Sequence, residues 1–330
     1  MKIQKIKFFD YRVFFNGVDN QYLISTGGKN LLIYGENGSG KTSLFKGLND
    51  FIQGNDFVSH NQTPRIDEGF IEVELSDGTI ERLTGSGTKP TNAEILNAAK
   101  LNSFLSYKEL LKTYLFENED NEVNLFSLLV NGVLKDHNLN TLGHLQTAWK
   151  ELSSKTFADA KLILERANKK GELEPDELKE QIEILTDEFK KKFEKFYDEL
   201  SVLIKEINSE LGNILHYFDN NTEALLVLEP IKHDEFEKAK IGLEVNYYKK
   251  EISNHHDFLN EARLSSLALS IFIASIKSNP TQNNLRILLL DDIFIGLDIK
   301  LGVRFGPKQQ GWEHQYKLTW TGGKIHRFTV

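Results

Sequence analysis

The chain has 330 residues, 40% hydrophobic and 27% charged, a composition for a globular protein with a large core and more than one structural unit. A formal net charge of −8 excludes a uniformly basic nucleic-acid binder, so any contact with nucleic acid must come from a local patch. With no cysteine, disulfides and thiolate metal sites are excluded, and a reducing, cytoplasmic setting is expected. The first residues, "MKIQKIKFFDYRVFF", lack the apolar core of a signal peptide, and no window approaches the roughly 18 uncharged apolar residues of a membrane span, so no membrane partner is expected.

In chain order, "KIQKIKFF", "QYLIS" and "NLLIYG" read as three strands, followed by a helix from Thr42 to about Phe51. "FIEVELSDGTIERLT" alternates on both sides of Ser76-Asp77-Gly78 and predicts a hairpin. "SFLSYKELLKTYLF" is helical or mixed. From Leu145 the texture turns to Lys and Glu with apolar residues at helical spacing, giving one helix to Asn168 and a second from Pro175 to Phe218. At 1.5 Å per residue the second would span about 65 Å, so the pair is expected to project as an antiparallel hairpin. Strands return at "ALLVLEP" and "KIGLEVNYY". A buried helix then starts near Asn260, and an apolar strand, Ile287–Leu290, ends at Asp291 and Asp292. A run so apolar is expected to lie centrally in a sheet covered on both faces.

The order is strands, helices, strands: an α/β domain split by a helical insertion. The expected divisions are 1–144 and 219–300 for the two halves, 145–218 for the hairpin and 301–330 for a tail.

Two motifs carry chemistry. Gly35-Glu36-Asn37-Gly38-Ser39-Gly40-Lys41-Thr42 fits G-x-x-x-x-G-K-[ST] between a strand and a helix. The glycines let amide hydrogens turn inward around a β-phosphate, and the new helix, through Ser43, points its positive end at the same anion. Lys41 would neutralise β- and γ-phosphate charge, and the Thr42 hydroxyl would ligate Mg²⁺. A triphosphate site of this kind needs an acid at a neighbouring strand end to hold the metal and a base to orient water. Asp291 suits the first role and Asp292 the second.

With these residues in view, the chain resembles the ABC-class ATPases of the RecF/RecN/SMC type, small members with a short coiled coil. "FLNEARLSSLALSIFIAS" sits where that family carries its signature segment, and "ILLLDDIFIGLD" resembles its Walker B strand and D-loop, with Asp298 as the D-loop acid. The resemblance implies a P-loop NTPase fold, ATP and Mg²⁺ as cofactors, and hydrolysis within a homodimer that sandwiches two ATP molecules. In that arrangement Asn260 and Arg263 face the partner's nucleotide, and Arg12 lies near nucleotide or DNA; the plain alternatives are a helix N-cap for Asn260 and a solvated strand-end side chain for Arg12. The implied function is a DNA-acting switch in repair or genome defence, with a nuclease or other effector as an expected protein partner. An ABC transporter's nucleotide subunit fits less well, because roughly 220 residues separate Lys41 from Asn260 where the family of transporters has about 100.

The sequence departs from the family in four places. Asp292 stands where the catalytic acid is usually Glu, the signature lacks both glycines, Ser106-Tyr107-Lys108 occupies the place of the expected Q-loop glutamine, and the tail has no apolar strand ending in a histidine. His326 is the nearest candidate for that histidine. These departures keep a second reading open: an ATP-binding interaction protein whose nucleotide only controls dimerisation.

Overall fold

The computed structural model describes residues 1–14, 22–35, 38–59, 69–108, 124–153, 166, 169, 175–231, 238–279, 284–293, 316–321 and 324–329. The chain divides into two compact units. The first comprises Met1–Leu110 and Thr281–Val330; the second, Leu111–Pro280, is inserted within it.

In the first unit, β1 (Ile3–Phe9), β2 (Tyr22–Ser25), β4 (Phe70–Leu75) and β5 (Ile80–Thr84) form an antiparallel sheet in the order β2-β1-β4-β5. The β4–β5 connection carries Gly78 at φ +86°, the left-handed backbone that makes the Asp-Gly turn. Alternation puts Ile6, Phe8, Ile71, Val73 and Leu83 on one face, where they are buried. Against that face packs α1 (Lys41–Gln53), which buries Leu44, Leu48, Phe51 and Ile52. The approach is close enough that a Cβ on Gly47 would lie 2.5 Å from Phe8 Cε1. Each such buried aliphatic or aromatic side chain contributes about 1.5–3 kcal/mol.

The P-loop strand β3 (Leu31–Gly35) pairs in parallel with β13 (Tyr316–Thr321), which pairs antiparallel with β14 (Lys324–Thr329). Thus the tail supplies the neighbour of β3. His326 lies within β14 in register with Thr319, not at a strand end. After α2 (Ala93–Ala99), the short β6 (Phe104–Ser106) runs parallel to β12 (Leu289–Asp291). Here the strand differs from the expectation of a fully covered centre. Leu288, just before the strand, is 45% exposed, and among the described residues β12 pairs with β6 alone.

Among the described residues, the inserted unit begins with α3 (Phe126–Leu128), followed by one π turn, Leu129–Val133, and the short pair β7 (Asn138–Leu139) and β8 (Gly143–His144). Next come α4 (Leu145–Ser153) and α5 (Pro175–Phe218). Pro175 opens α5, where its missing N–H costs no hydrogen bond, and Asp176 and Glu177 complement the positive helix end. Trp149 meets Phe196 with ring centroids 5.4 Å apart, and Lys192 pairs with Glu151, so α4 runs antiparallel to α5. The rest of the helix expected to reach Asn168 lies outside the described residues, apart from Arg166.

The C-terminal part of α5 buries Phe193, Phe196, Leu200, Leu203, Ile207 and Leu211. It packs on α7 (Glu261–Lys277) and on the antiparallel sheet of β9 (Thr222–Leu228), β10 (Ile241–Tyr247) and β11 (Lys250–Glu251). From Asp176 to Lys192 no side chain is buried, so the helix extends well beyond this core. The single-turn α6 (His255–Phe258) precedes α7. Among the described residues no helix is long and apolar enough to cross a membrane.

Candidate functional site: a phosphate loop beside a buried carboxylate

Between β3 and α1 the backbone turns through Gly38 at φ +83° and Gly40 at φ +98°, both in the left-handed region where a side chain is strained. Gly40 caps α1, and its carbonyl accepts from the Leu44 amide at 3.0 Å. Space is short as well: a Cβ on Gly40 would stand 3.0 Å from Val13 Cγ2. The first turn of α1 contains no acidic residue, so its positive end is left for an outside anion. Ser39 Oγ is buried and has no hydrogen-bond partner among the described residues. A buried hydroxyl without a partner is costly, and a phosphate oxygen would satisfy it. The loop therefore fits a phosphate group.

The second wall comes from β12. Its parallel register with β6 delivers Asp291, 8% exposed, to the strand end opposite Ser106. There the Thr42 hydroxyl donates to Asp291 Oδ1 at 3.4 Å, joining residues 249 apart in sequence. Burial pushes the Asp291 carboxyl above its usual range. The Thr42 hydrogen bond pulls it back, the Asp292 charge raises it further, and Lys41 and Lys46 oppose that rise. A carboxylate that is costly to ionise, next to a hydroxyl oxygen, is a hard oxygen pair suited to Mg²⁺. Asp292 follows at φ +57° with its side chain exposed.

Of the other expected site residues, Gly35 ends β3 in register with Trp320, and Ser43 is half-buried in the first turn of α1. Asn37 and Asp298 lie outside the described residues. Arg12 Nε donates to the Tyr11 hydroxyl at 2.7 Å, and its Nη2 lies 3.4 Å from Asp50 Oδ2. Asp50 is eight residues beyond Thr42, about 12 Å along α1. The structure also places Ser106 in register with Asp291, a juxtaposition that the three-residue β6 signals only weakly in sequence.

No family model matches the sequence, and no curated protein matches it. Solved structures do match. The Pyrococcus furiosus Smc head domain with an extended coiled coil, bound to the C-terminal domain of ScpA, aligns with 100% of this chain and 96% of its own, at a TM-score of 0.51 and 15% identity. An SmcHead bound to the C-winged helix domain of ScpA aligns with 100% of this chain and 98% of its own, at a TM-score of 0.52 and 13% identity. The chain has the fold of an Smc head domain.

In this Smc-head fold the segment resembling a signature lies in the inserted unit. Asn260 is the N-cap of α7: its Oδ1 accepts from the Arg263 amide at 3.0 Å. Arg263 Nε donates to Asp219 Oδ2 at 2.8 Å, and the guanidinium lies 5.0 Å from the Tyr247 ring centroid. Within the chain, then, both polar groups are engaged in holding the start of α7. Glu261 occupies the first turn of α7, unlike the acid-free first turn of α1.

Proposed function

We propose that the chain is an ATP-binding and ATP-hydrolysing switch of RecF/SMC type that dimerises around nucleotide and acts on DNA in repair or genome defence. One observation carries the nucleotide reading: Thr42 and Asp291, on opposite sides of a long insertion, meet beside a glycine-bent loop at the start of a helix. Gly38, Ser39 and Gly40 would hold phosphate oxygens, and Lys41 would balance their charge. Thr42 and Asp291 would hold Mg²⁺, which, when bound, would neutralise charge on the phosphates. Asp292 is the base proposed to orient the attacking water. Asn260 and Arg263 are proposed to approach the partner copy's nucleotide; for Arg263 that requires a geometry compatible with its pairing to Asp219.

The Smc heads in the two comparison structures are bound to a domain of ScpA, which supports a protein partner for this chain too. The inserted unit supports DNA contact through the first unit instead. Of 40 Lys/Arg and 48 Asp/Glu, the first unit holds 19 and 17, a net of +2, and the inserted unit holds 21 and 31, a net of −10.

The exposed, positive-φ Asp292 favours a second reading, an ATP-binding switch with little hydrolysis, since a side chain one methylene shorter than Glu positions water less closely. Phosphate release by wild type, Lys41→Ala and Asp292→Ala, with and without single-stranded, duplex and broken-end DNA, separates these readings. The main proposal expects Lys41→Ala to abolish nucleotide binding, Asp292→Ala to slow turnover at least tenfold, and DNA to stimulate wild type. Equal rates for wild type and Asp292→Ala would remove Asp292 as the base, and a lack of response to every DNA would remove the nucleic-acid role.

A further inference from the structure

Just past β1 the chain reverses over Tyr11–Phe14, where the Phe14 amide donates to the Tyr11 carbonyl at 2.8 Å. Arg12, the first central residue, has φ +48°, and Asp10 before the turn has φ +49°. A turn with positive φ at its first central position alone follows the type II′ pattern, in which glycine is the relaxed residue. Aspartate tolerates this backbone better than arginine, so the strain falls mainly on Arg12. The Arg12 side chain gives the reason for its place. Its Nε donates to the Tyr11 hydroxyl at 2.7 Å, and that hydroxyl donates to Asp50 Oδ2 at 2.5 Å near the end of α1. Tyr11 is fully buried, and a Cβ on Gly47 of α1 would lie 2.9 Å from Tyr11 Cε1. The turn is also tied from the other side. Ser59 Oγ donates to Asp10 Oδ2 at 2.8 Å, and the Arg12 amide donates to the Val58 carbonyl at 3.1 Å.

The same turn meets the phosphate loop. Among the described residues, a Cβ on Gly38 would find nothing within 4 Å, whereas one on Gly40 would stand 3.0 Å from Val13 Cγ2 and 4.0 Å from two ring carbons of Phe14. Phe14 is itself fixed, buried and stacked on Phe8 with centroids 4.7 Å apart. Val13 is 48% exposed, so burial in the core does not account for a branched apolar side chain at this place. The turn thus reaches α1 at Gly40, Gly47 and Asp50, about 15 Å along the helix. A glycine loop has little side-chain packing with which to hold its own shape, and its amides bind an anion well only when they converge on it. We infer that the Tyr11–Phe14 turn braces the phosphate loop, with Val13 and Tyr11 as positioning residues. Val13 sets the backbone at Gly40, and Tyr11 fixes the turn to α1 through Asp50. The inference rests on the nucleotide reading above and adds the residues that shape its loop.

Two measurements on the full chain test this: amide hydrogen exchange over Gly38–Leu44 without nucleotide, and titration with a fluorescent ATP analogue and Mg²⁺. Wild type, Val13→Ala, Val13→Ile and Tyr11→Phe are compared. A half-exposed valine adds little to folding, so Val13→Ala keeps the wild-type Tm and the wild-type exchange of the β4–β5 hairpin. Its loop amides exchange at least fivefold faster, and its affinity for the analogue falls at least fivefold. Val13→Ile retains the γ2 methyl and matches wild type in both. Tyr11→Phe, although less stable, speeds exchange in the loop more than in the hairpin and weakens analogue binding. Wild-type loop exchange in Val13→Ala refutes the brace, and the nucleotide reading survives if wild type binds the analogue. Faster loop exchange with unchanged affinity refutes the positioning role. If Val13→Ala loosens the loop but wild type binds no analogue, the brace stands and the nucleotide reading falls. Exchange that rises equally in loop and hairpin of Tyr11→Phe overturns the part assigned to Tyr11.

Discussion

The His255 ring lies against that of His256, tilted by 36° with centroids 4.1 Å apart, and His255 is buried. Burial first, and then the neighbouring imidazole, push the His255 pKa from 6.5 down to about 4. The folded state therefore holds His255 neutral, whereas the unfolded chain takes up a proton through its ordinary range. Stability should be full above about pH 6.5 and fall as pH drops toward 4, by at most about 3 kcal/mol from this group. Urea unfolding between pH 7 and 4 checks this, and His255→Phe should flatten the dependence. An identical slope in the variant would rule His255 out as its source.

Asp291 shifts the other way. Its carboxyl is raised by burial, and its ionisation opposes folding above the usual carboxylate range. Asp291→Asn removes that charge while keeping the shape. The variant should unfold at a slightly higher Tm at neutral pH, by a few degrees at most, and lose Mg²⁺-dependent nucleotide affinity. A lower Tm would show that the Thr42 contact outweighs the cost of desolvation.

Gly47→Ala should destabilise by about 1–3 kcal/mol, because the added methyl meets ring carbons of Phe8 and Tyr11 that the core does not let retreat. Its built Cβ lies 2.5 Å and 2.9 Å from those rings. Chemical denaturation measures the change. A neutral effect would mean that α1 shifts freely on the sheet, in which case the phosphate loop at its start is not rigidly placed.

Tyr11→Phe removes the hydroxyl that donates to Asp50 Oδ2 at 2.5 Å and accepts from Arg12 Nε. Asn55 still donates to the other Asp50 oxygen, so the loss should be about 1–3 kcal/mol. Burial, and then the bond to Asp50, hold the tyrosine hydroxyl above its ordinary pKa, so it stays protonated through the neutral range. Arg12 would lose the hydroxyl but keep its approach to Asp50 Oδ2 in this variant, and a change in nucleotide affinity would show that its position matters to the site.

Several elements were legible before any coordinates. Pro175 and the apolar period from Leu178 onward define α5, because Pro fits the first helical position and the 3.6-residue repeat needs no distant partner. The Asp77-Gly78 turn and the strand–glycine–helix order around Lys41 are local in the same way. Burial was less legible. The run Ile287–Leu290 reads as a covered strand, yet Leu288 stays half open, since coverage of a side chain depends on what packs on its face of the sheet.

What the chain alone determined was the local chemistry: bent glycines, helix ends, and an acid pair at the end of an apolar run. These follow from backbone sterics and short-range periodicity, which neighbouring residues settle among themselves. Only the tertiary structure decided which groups meet. It set Asp291 against Thr42, laid the tail strand beside β3, and gave Arg263 to Asp219. Such pairings join residues tens to hundreds of positions apart, and they arise from packing and burial of the whole chain, which no short stretch of sequence encodes.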